Sequence, residues 1–239
     1  MTKLLLILLT AALALFAPAH AADAIGGIEG GLTGRVIQIF LAVTVLSLAP
    51  GLAMTATCLP LIVIVLSILR QGVGLQQSPP NMLIMGVALF LTWFVMEPVF
   101  KDAWIEGVAP LKHEEIDEEE AFRRVAEPFR QFMTSRVTPA ALDTLREARG
   151  EVSNAGDQMP ELSILAPAFA LSEIQRAFQI GFVVLLPFLI IDLLVASILM
   201  AMGMMMVPPA IVSLPFKLAF FILTNGWVAV AGALVRSYS

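Results

Sequence analysis

The sequence predicts an all-α membrane protein: two helical hairpins with broken hydrophobic helices, and a small polar helical extracytoplasmic segment between them. Three observations carry this reading. Hydrophobic residues make up 59% of the 239-residue chain against 14% charged, and mean hydropathy is +0.89, a balance that belongs to integral membrane proteins. The apolar stretches are punctuated by prolines and glycines instead of running as simple spans. The acidity is local, because residues 101–165 hold eight Lys/Arg and fourteen Asp/Glu while the whole chain carries a net charge of only -5. The chain therefore divides into a leader (1–21), a first hydrophobic hairpin (22–100), a polar helical extracytoplasmic segment (101–165) and a second hydrophobic hairpin (166–239).

The leader has the layout of a signal peptide. Lys3 supplies a positive start, residues 4–16 an uninterrupted apolar run, and Ala19-His20-Ala21 a small-x-small cleavage site. A run of that length is short for a span of roughly 20 residues, so cleavage is preferred over an uncleaved first helix. The mature chain then starts near Ala22, outside the cytoplasm. Cys58 is the only cysteine, which excludes an intrachain disulfide, and its apolar neighbours mark it as a small buried hydrophobe.

Four apolar regions follow. Residues 36–69 carry no charge; as one straight helix they would reach about 50 Å, well beyond a hydrocarbon core of about 30 Å. Pro50-Gly51 and Pro60 are the expected break points. The stretch from Arg70 to Asn81 is rich in Gly, Pro and amides and predicts the turn of an antiparallel hairpin. The second apolar region, 82–96, is short and meets Glu97-Pro98; the third spans 177–206 with Pro187 and Asp192 inside it; the fourth covers 218–235. Pro208, Pro209 and Pro215 separate the last two, which again predicts a hairpin.

Within the polar segment, the acidic run at residues 114–120 precedes Arg123 and Arg124. Acid before base along the chain complements a helix dipole, so the run predicts a solvated helix start; a cation or partner site is the competing reading. Thr138-Pro139 predicts a second short helix with Thr138 as N-cap and Pro139 at the first helical position. Residues 150–160 read as a loop.

Catalytic parts are scarce. The histidines are His20, in the leader, and His113, so Ser-His-Asp, Cys-His and His-rich metal arrangements all lack members. Gly72-Val73-Gly74 follows an apolar helix and leads to prolines, which is not the context of a phosphate loop. No Lys/Arg cluster offers a nucleic-acid surface. The sequence therefore predicts a protein that is not an enzyme and needs no metal or cofactor.

Two features remain. Asp192 and Lys217 fall in or beside apolar regions, where an unpaired charge costs about 2.5–3.5 kcal/mol. Antiparallel packing is one way to pair them, although their distances from the turn are unequal, and a proton relay through Asp192 is the alternative. Gly203-Met204-Met205-Met206-Val207-Pro208-Pro209 ends an apolar run in three methionines stopped by two prolines. Such a cluster either fills gaps between helices or forms a deformable apolar seal.

The ordered blocks Ala166-Pro167-Ala168-Phe169-Ala170-Leu171-Ser172-Glu173, Leu186-Pro187-Phe188-Leu189-Ile190-Ile191-Asp192, the methionine run, and Ser213-Leu214-Pro215-Phe216-Lys217 resemble the signature of the FliP/SctR export-gate family of type III secretion systems, in its flagellar branch. The likeness extends upstream through Leu75-Gln76-Gln77-Ser78-Pro79-Pro80-Asn81 and Phe94-Val95-Met96-Glu97-Pro98-Val99. It departs at Thr224-Asn225-Gly226-Trp227, where an acidic residue commonly precedes Gly-Trp in the family. The resemblance implies a core channel subunit that passes unfolded flagellar proteins, with Met204, Met205 and Met206 as a pore gasket. It further implies five self-associated copies, FliQ- and FliR-like subunits and other export-apparatus membrane proteins as partners, and a place in the bacterial inner membrane at the flagellar basal body. Glu173, Asp192 and Lys217 become candidate structural or intersubunit charges. The alternative function is a small-solute or proton-coupled transporter using Asp192 and Glu97.

Overall fold

A computed structural model of the chain describes residues 39–40, 43–44, 47, 51, 55–75, 78–150, 160–204 and 206–238. The predicted leader, most of the first apolar region, Gln76, Gln77, the greater part of the 150–160 loop, and Met205 lie outside the described residues. The described residues are helical, with no strand among them. They belong to two compact units, one of Thr57–Pro98 with Met133–Ser239, the other of Val99–Phe132 with the described residues up to Ala56.

The larger unit is built on the packing of α1 (Leu59–Val73) against α6 (Leu162–Ala201). Pro60, expected to break a helix, instead sits in the first turn of α1, where its missing N–H costs nothing. Leu61, Ile62, Val65, Leu66, Leu69 and Val73 recur at helical spacing and are buried. The two backbones approach closely: a Cβ on Gly181 would stand 2.4 Å from Ile68 Cδ1, and one on Gly72 2.9 Å from Leu185 and Phe188. α1 stops at Gly74, whose φ of +88° only glycine adopts freely. Beyond it Arg70 Nη1 donates to the Pro79 carbonyl at 3.3 Å and to Asn81 Oδ1, pinning the turn to the start of α2 (Asn81–Ala103).

The apolar helices run longer than their hydropathy. α2 passes through Glu97-Pro98, so the short region at 82–96 belongs to a continuous helical stretch, Asn81–Lys112, long and apolar enough to cross a membrane. α6 is a single helix of 40 residues, about 60 Å long, carrying both Pro167 and Pro187 inside it and starting well before the predicted third region. An internal proline removes one backbone hydrogen bond, but unwinding an apolar segment would strand several more polar groups, so the helix continues. The fourth region does the opposite. It splits into α7 (Pro209–Leu223) and α8 (Gly226–Arg236), bent by 59° at Thr224-Asn225. Asn225 takes a left-handed φ of 49°, which asparagine tolerates better than most residues. Gly226 has no room for a Cβ, which would lie 2.0 Å from the Phe221 ring. α7 packs on α6, so the second predicted hairpin is directly formed.

Helix α5 (Pro139–Arg149) also packs on α6. Thr138 occupies its N-cap position with extended backbone, and Pro139 opens the helix, but the threonine hydroxyl makes no cap. It lies 3.0 Å from Ser172 Oγ, and the Thr138 N–H donates to that same oxygen at 3.0 Å. A tertiary partner has taken the group that local capping would use.

The smaller unit holds the end of α2, a π-helical turn at Trp104–Val108, α3 (Ala109–Lys112) and most of α4 (Glu118–Arg136). Gly107 in the π turn lies against α4, because a Cβ there would meet Val125 Cγ2 at 2.4 Å and the Ala121 carbonyl at 3.0 Å. Phe100 and Phe129 meet edge to face at 5.8 Å. The acidic run forms the start of α4: Asp117 Oδ1 accepts the Glu120 N–H at 2.9 Å, an N-cap bond. Glu120 then pairs with Arg124 at 2.7 Å and with Arg123, and the Arg124 hydrogen bond holds its carboxyl below the usual carboxylate range.

Candidate gate loop and its supporting charges

The methionine loop is an engineered-looking stop only in outline; its geometry follows from three residues. At the end of α6 the Gly203 N–H donates to the Met200 carbonyl and the Met204 N–H to the Leu199 carbonyl, both at 3.0 Å. This is a Schellman arrangement, and it needs the positive φ of 74° that Gly203 supplies. On the far side Pro208 takes an extended conformation as N-cap and Pro209 opens α7. Among the described residues of the loop, Met204 and Met206 face outward. Met206 is 98% exposed and Met204 42% exposed, and Met202 is exposed beside them. They are not filling gaps within this chain.

Asp192 lies about two and a half turns before the end of α6, and Lys217 about two turns after the start of α7. Because α6 stops at Ala201 and α7 begins at Pro209, the two charges are nearly equidistant from the turn, contrary to the unequal spacing expected from hydropathy. Lys217 Nζ stands 2.5 Å from Asp192 Oδ2. The other carboxylate oxygen accepts a hydrogen bond from Ser213 Oγ, also at 2.5 Å. Ser213 and Lys217 are buried, whereas the Asp192 side chain keeps 36% of its surface exposed. Ser213 stands in the sequence only as the first residue of the block that ends in Lys217, with no role assigned to it, yet its position four residues before Lys217 places both on one helix face.

Glu173 belongs to a separate network and is itself fully buried, while its arginine partners keep some exposure. Its Oε1 lies 3.5 Å from Arg136 Nε and 3.7 Å from Arg176 Nη1, and its Oε2 accepts the Tyr238 hydroxyl. Arg136 also donates to the Ser237 carbonyl at 2.7 Å and stacks 3.9 Å from the centre of the Tyr238 ring. Burial and the neighbouring Glu173 carboxylate push the Tyr238 phenol above its ordinary value, so it stays protonated and donates. Arg136 and Tyr238 lie 37 and 65 residues from Glu173, and no local spacing signals them.

None of this is catalytic geometry. An apolar cleft of about 820 Å³ is lined by Leu66, Val73, Ile84, Phe221 and Trp227, with Arg70 as its charged group and no acid or base opposite it. No group of three metal-ligating side chains occurs among the described residues.

The FliP family model matches residues 42–234. The chain is 48% identical over 216 residues to the flagellar biosynthetic protein FliP of Agrobacterium fabrum, covering 89% of this chain and 87% of that one. Identity to the FliP of Rhizobium meliloti is 45% over 213 residues, covering 88% and 87% of the two chains, and to that of Bacillus subtilis 42% over 203, covering 84% and 91%. The matched residues include the methionine loop, the Asp192–Lys217 pair and Glu173. With its all-helical build and membrane-length apolar helices, the chain belongs to the FliP family and is a non-enzymatic membrane component of the flagellar export apparatus.

Proposed function

We propose that this chain is a core channel subunit of the flagellar type III protein export gate, passing unfolded flagellar proteins through a pore closed by Met204, Met205 and Met206. The observation that carries the reading is the exposure of Met204 and Met206 on a loop anchored by the Gly203 helix stop and by Pro208-Pro209. Exposed thioethers on a fixed support suit a seal made against other copies. In a ring or helix of five copies, about fifteen such side chains would surround one axis, excluding water and ions when closed and yielding to an extended polypeptide. Gating is passive, with energy supplied by other components. FliQ- and FliR-like subunits and further membrane proteins of the apparatus would complete the assembly in the bacterial inner membrane, at the flagellar basal body. The polar segment would lie on the periplasmic side.

The transporter reading draws less support, because both oxygens of Asp192 are engaged, one by Lys217 and one by Ser213. To test the gate, Met204, Met205 and Met206 are replaced together by alanine, and resting ion leak is measured alongside export and assembly. Increased leak with the complex intact is expected. Unchanged leak at normal assembly would sink the gasket role.

A further inference from the structure

We infer that Ser213, through its bond to the Asp192–Lys217 pair, is a positioning residue for the methionine loop, holding α6 and α7 at the separation that sets the closed gate. The inference rests on the gate reading and names the group that controls it. Ser213 is fully buried at the start of α7, and the Asp192 oxygen it reaches lies across the hairpin on α6. Lys217, one turn further along α7, grips the second oxygen of the same carboxylate. The two bonds therefore span the loop that carries Met204 and Met206, and they are oriented across the helices, not along them.

The chemistry of Ser213 also makes the contact releasable. Its hydroxyl has one proton and two acceptors within reach, Asp192 Oδ1 at 2.5 Å and the carbonyl of Ala210, in its own helix, at 3.2 Å. If α7 moves away from α6, the proton turns to Ala210, so opening leaves no buried hydroxyl unpaired. The carboxylate remains partly solvated on its exposed side. Gly203 supplies the complementary freedom at the other end of the loop, with nothing within 4 Å of where a Cβ would stand. A closed state with the cross-helix bond and an open state with the local one are thus both satisfied, as a two-position element requires.

The test uses the full chain in cells that carry the rest of the export apparatus, with leak, export and assembled complex measured separately. Ser213→Ala is expected to raise resting ion leak by roughly 3- to 10-fold, the population shift left when a bond to the Asp192 carboxylate is weighed against the local bond to Ala210 that replaces it, while assembly and export persist. Asp192→Lys is expected to leak as well, and the exchanged pair Asp192→Lys with Lys217→Asp to return leak toward the wild-type level. A structural role alone would lower the amount of complex without changing leak per complex. If the methionine replacement leaks but Ser213→Ala does not, the positioning role is overturned and the gate reading stands. An exchanged pair that leaks as much as Asp192→Lys also overturns it. If neither the methionine replacement nor Ser213→Ala leaks, the gate reading falls and takes this inference with it.

Discussion

Two charged clusters tie α6 to the rest of the larger unit, and they differ in what surrounds them. At Glu173 the carboxylate is fully enclosed and is met by Arg136, Arg176 and Tyr238, which come from distant parts of the sequence. At Asp192 the carboxylate is about a third exposed, and its partners Ser213 and Lys217 lie on the next helix. Enclosure makes the first cluster an anchor, since the Glu173 carboxylate, once without its partners, has no water to turn to. Partial exposure makes the second a contact that can be broken and remade. The anchor holds the C-terminal residues Ser237 and Tyr238 in place; the contact sits beside the methionine loop.

The sharpest way to break this comparison is to remove one acid from each cluster. Glu173→Ala leaves Arg136 buried without its carboxylate and should cost about 3–5 kcal/mol of stability, seen as a large fall in the thermal midpoint of the detergent-solubilised protein. Asp192→Asn, which keeps an acceptor for Ser213, should cost clearly less. A reversed ranking would show that exposure is the wrong criterion.

A smaller effect is expected from Tyr238→Phe, which deletes only the hydroxyl donated to Glu173 and should cost about 1.5–3 kcal/mol, the range for a hydrogen bond to a charged group. This variant also has a pH signature. The folded-state phenol titrates above its unfolded value of about 10, so its contribution is complete below that pH and is lost as pH rises beyond it. Thermal stability of the wild-type protein should therefore fall above about pH 10 more steeply than that of Tyr238→Phe. Parallel curves would remove the phenol from the anchor.

The smallest effect belongs to Glu120, on the exposed start of α4. Its depressed titration makes its contribution present above the unfolded carboxylate range and lost as pH falls through the folded value. Solvent screens such surface pairs, so Glu120→Gln should leave the melting temperature unchanged at neutral pH. A loss comparable with Tyr238→Phe would mean that the acidic helix start is more than a solvated end.

Much of the site was legible because its signals are local. Gly203 before three methionines and two prolines marks a helix stop and restart, and Ser213 with Lys217 shares one helical face. The Asn225-Gly226 bend could be anticipated in kind, since both residues accept backbone that others resist, but hydropathy joined the segments it separates. Pro60 misled in the other direction: it reads as a break, yet it opens α1. Pro98, Pro167 and Pro187 lie inside continuous helices, because apolar surroundings offer no alternative partner to the backbone groups that a break would free.

Sequence by itself determined that this chain is helical and membrane-embedded, lacks the parts of an enzyme, and presents methionines at a forced turn. Those conclusions rest on composition and on spacing within a few residues, where covalent connection fixes neighbours. Tertiary structure alone decided which charges meet, which of them keep access to water, and where Thr138 spends its hydroxyl. Arg136 and Tyr238 reach Glu173 across 37 and 65 residues, and only the packing of α6 against the other helices brings such groups within a few ångströms and removes the water between them.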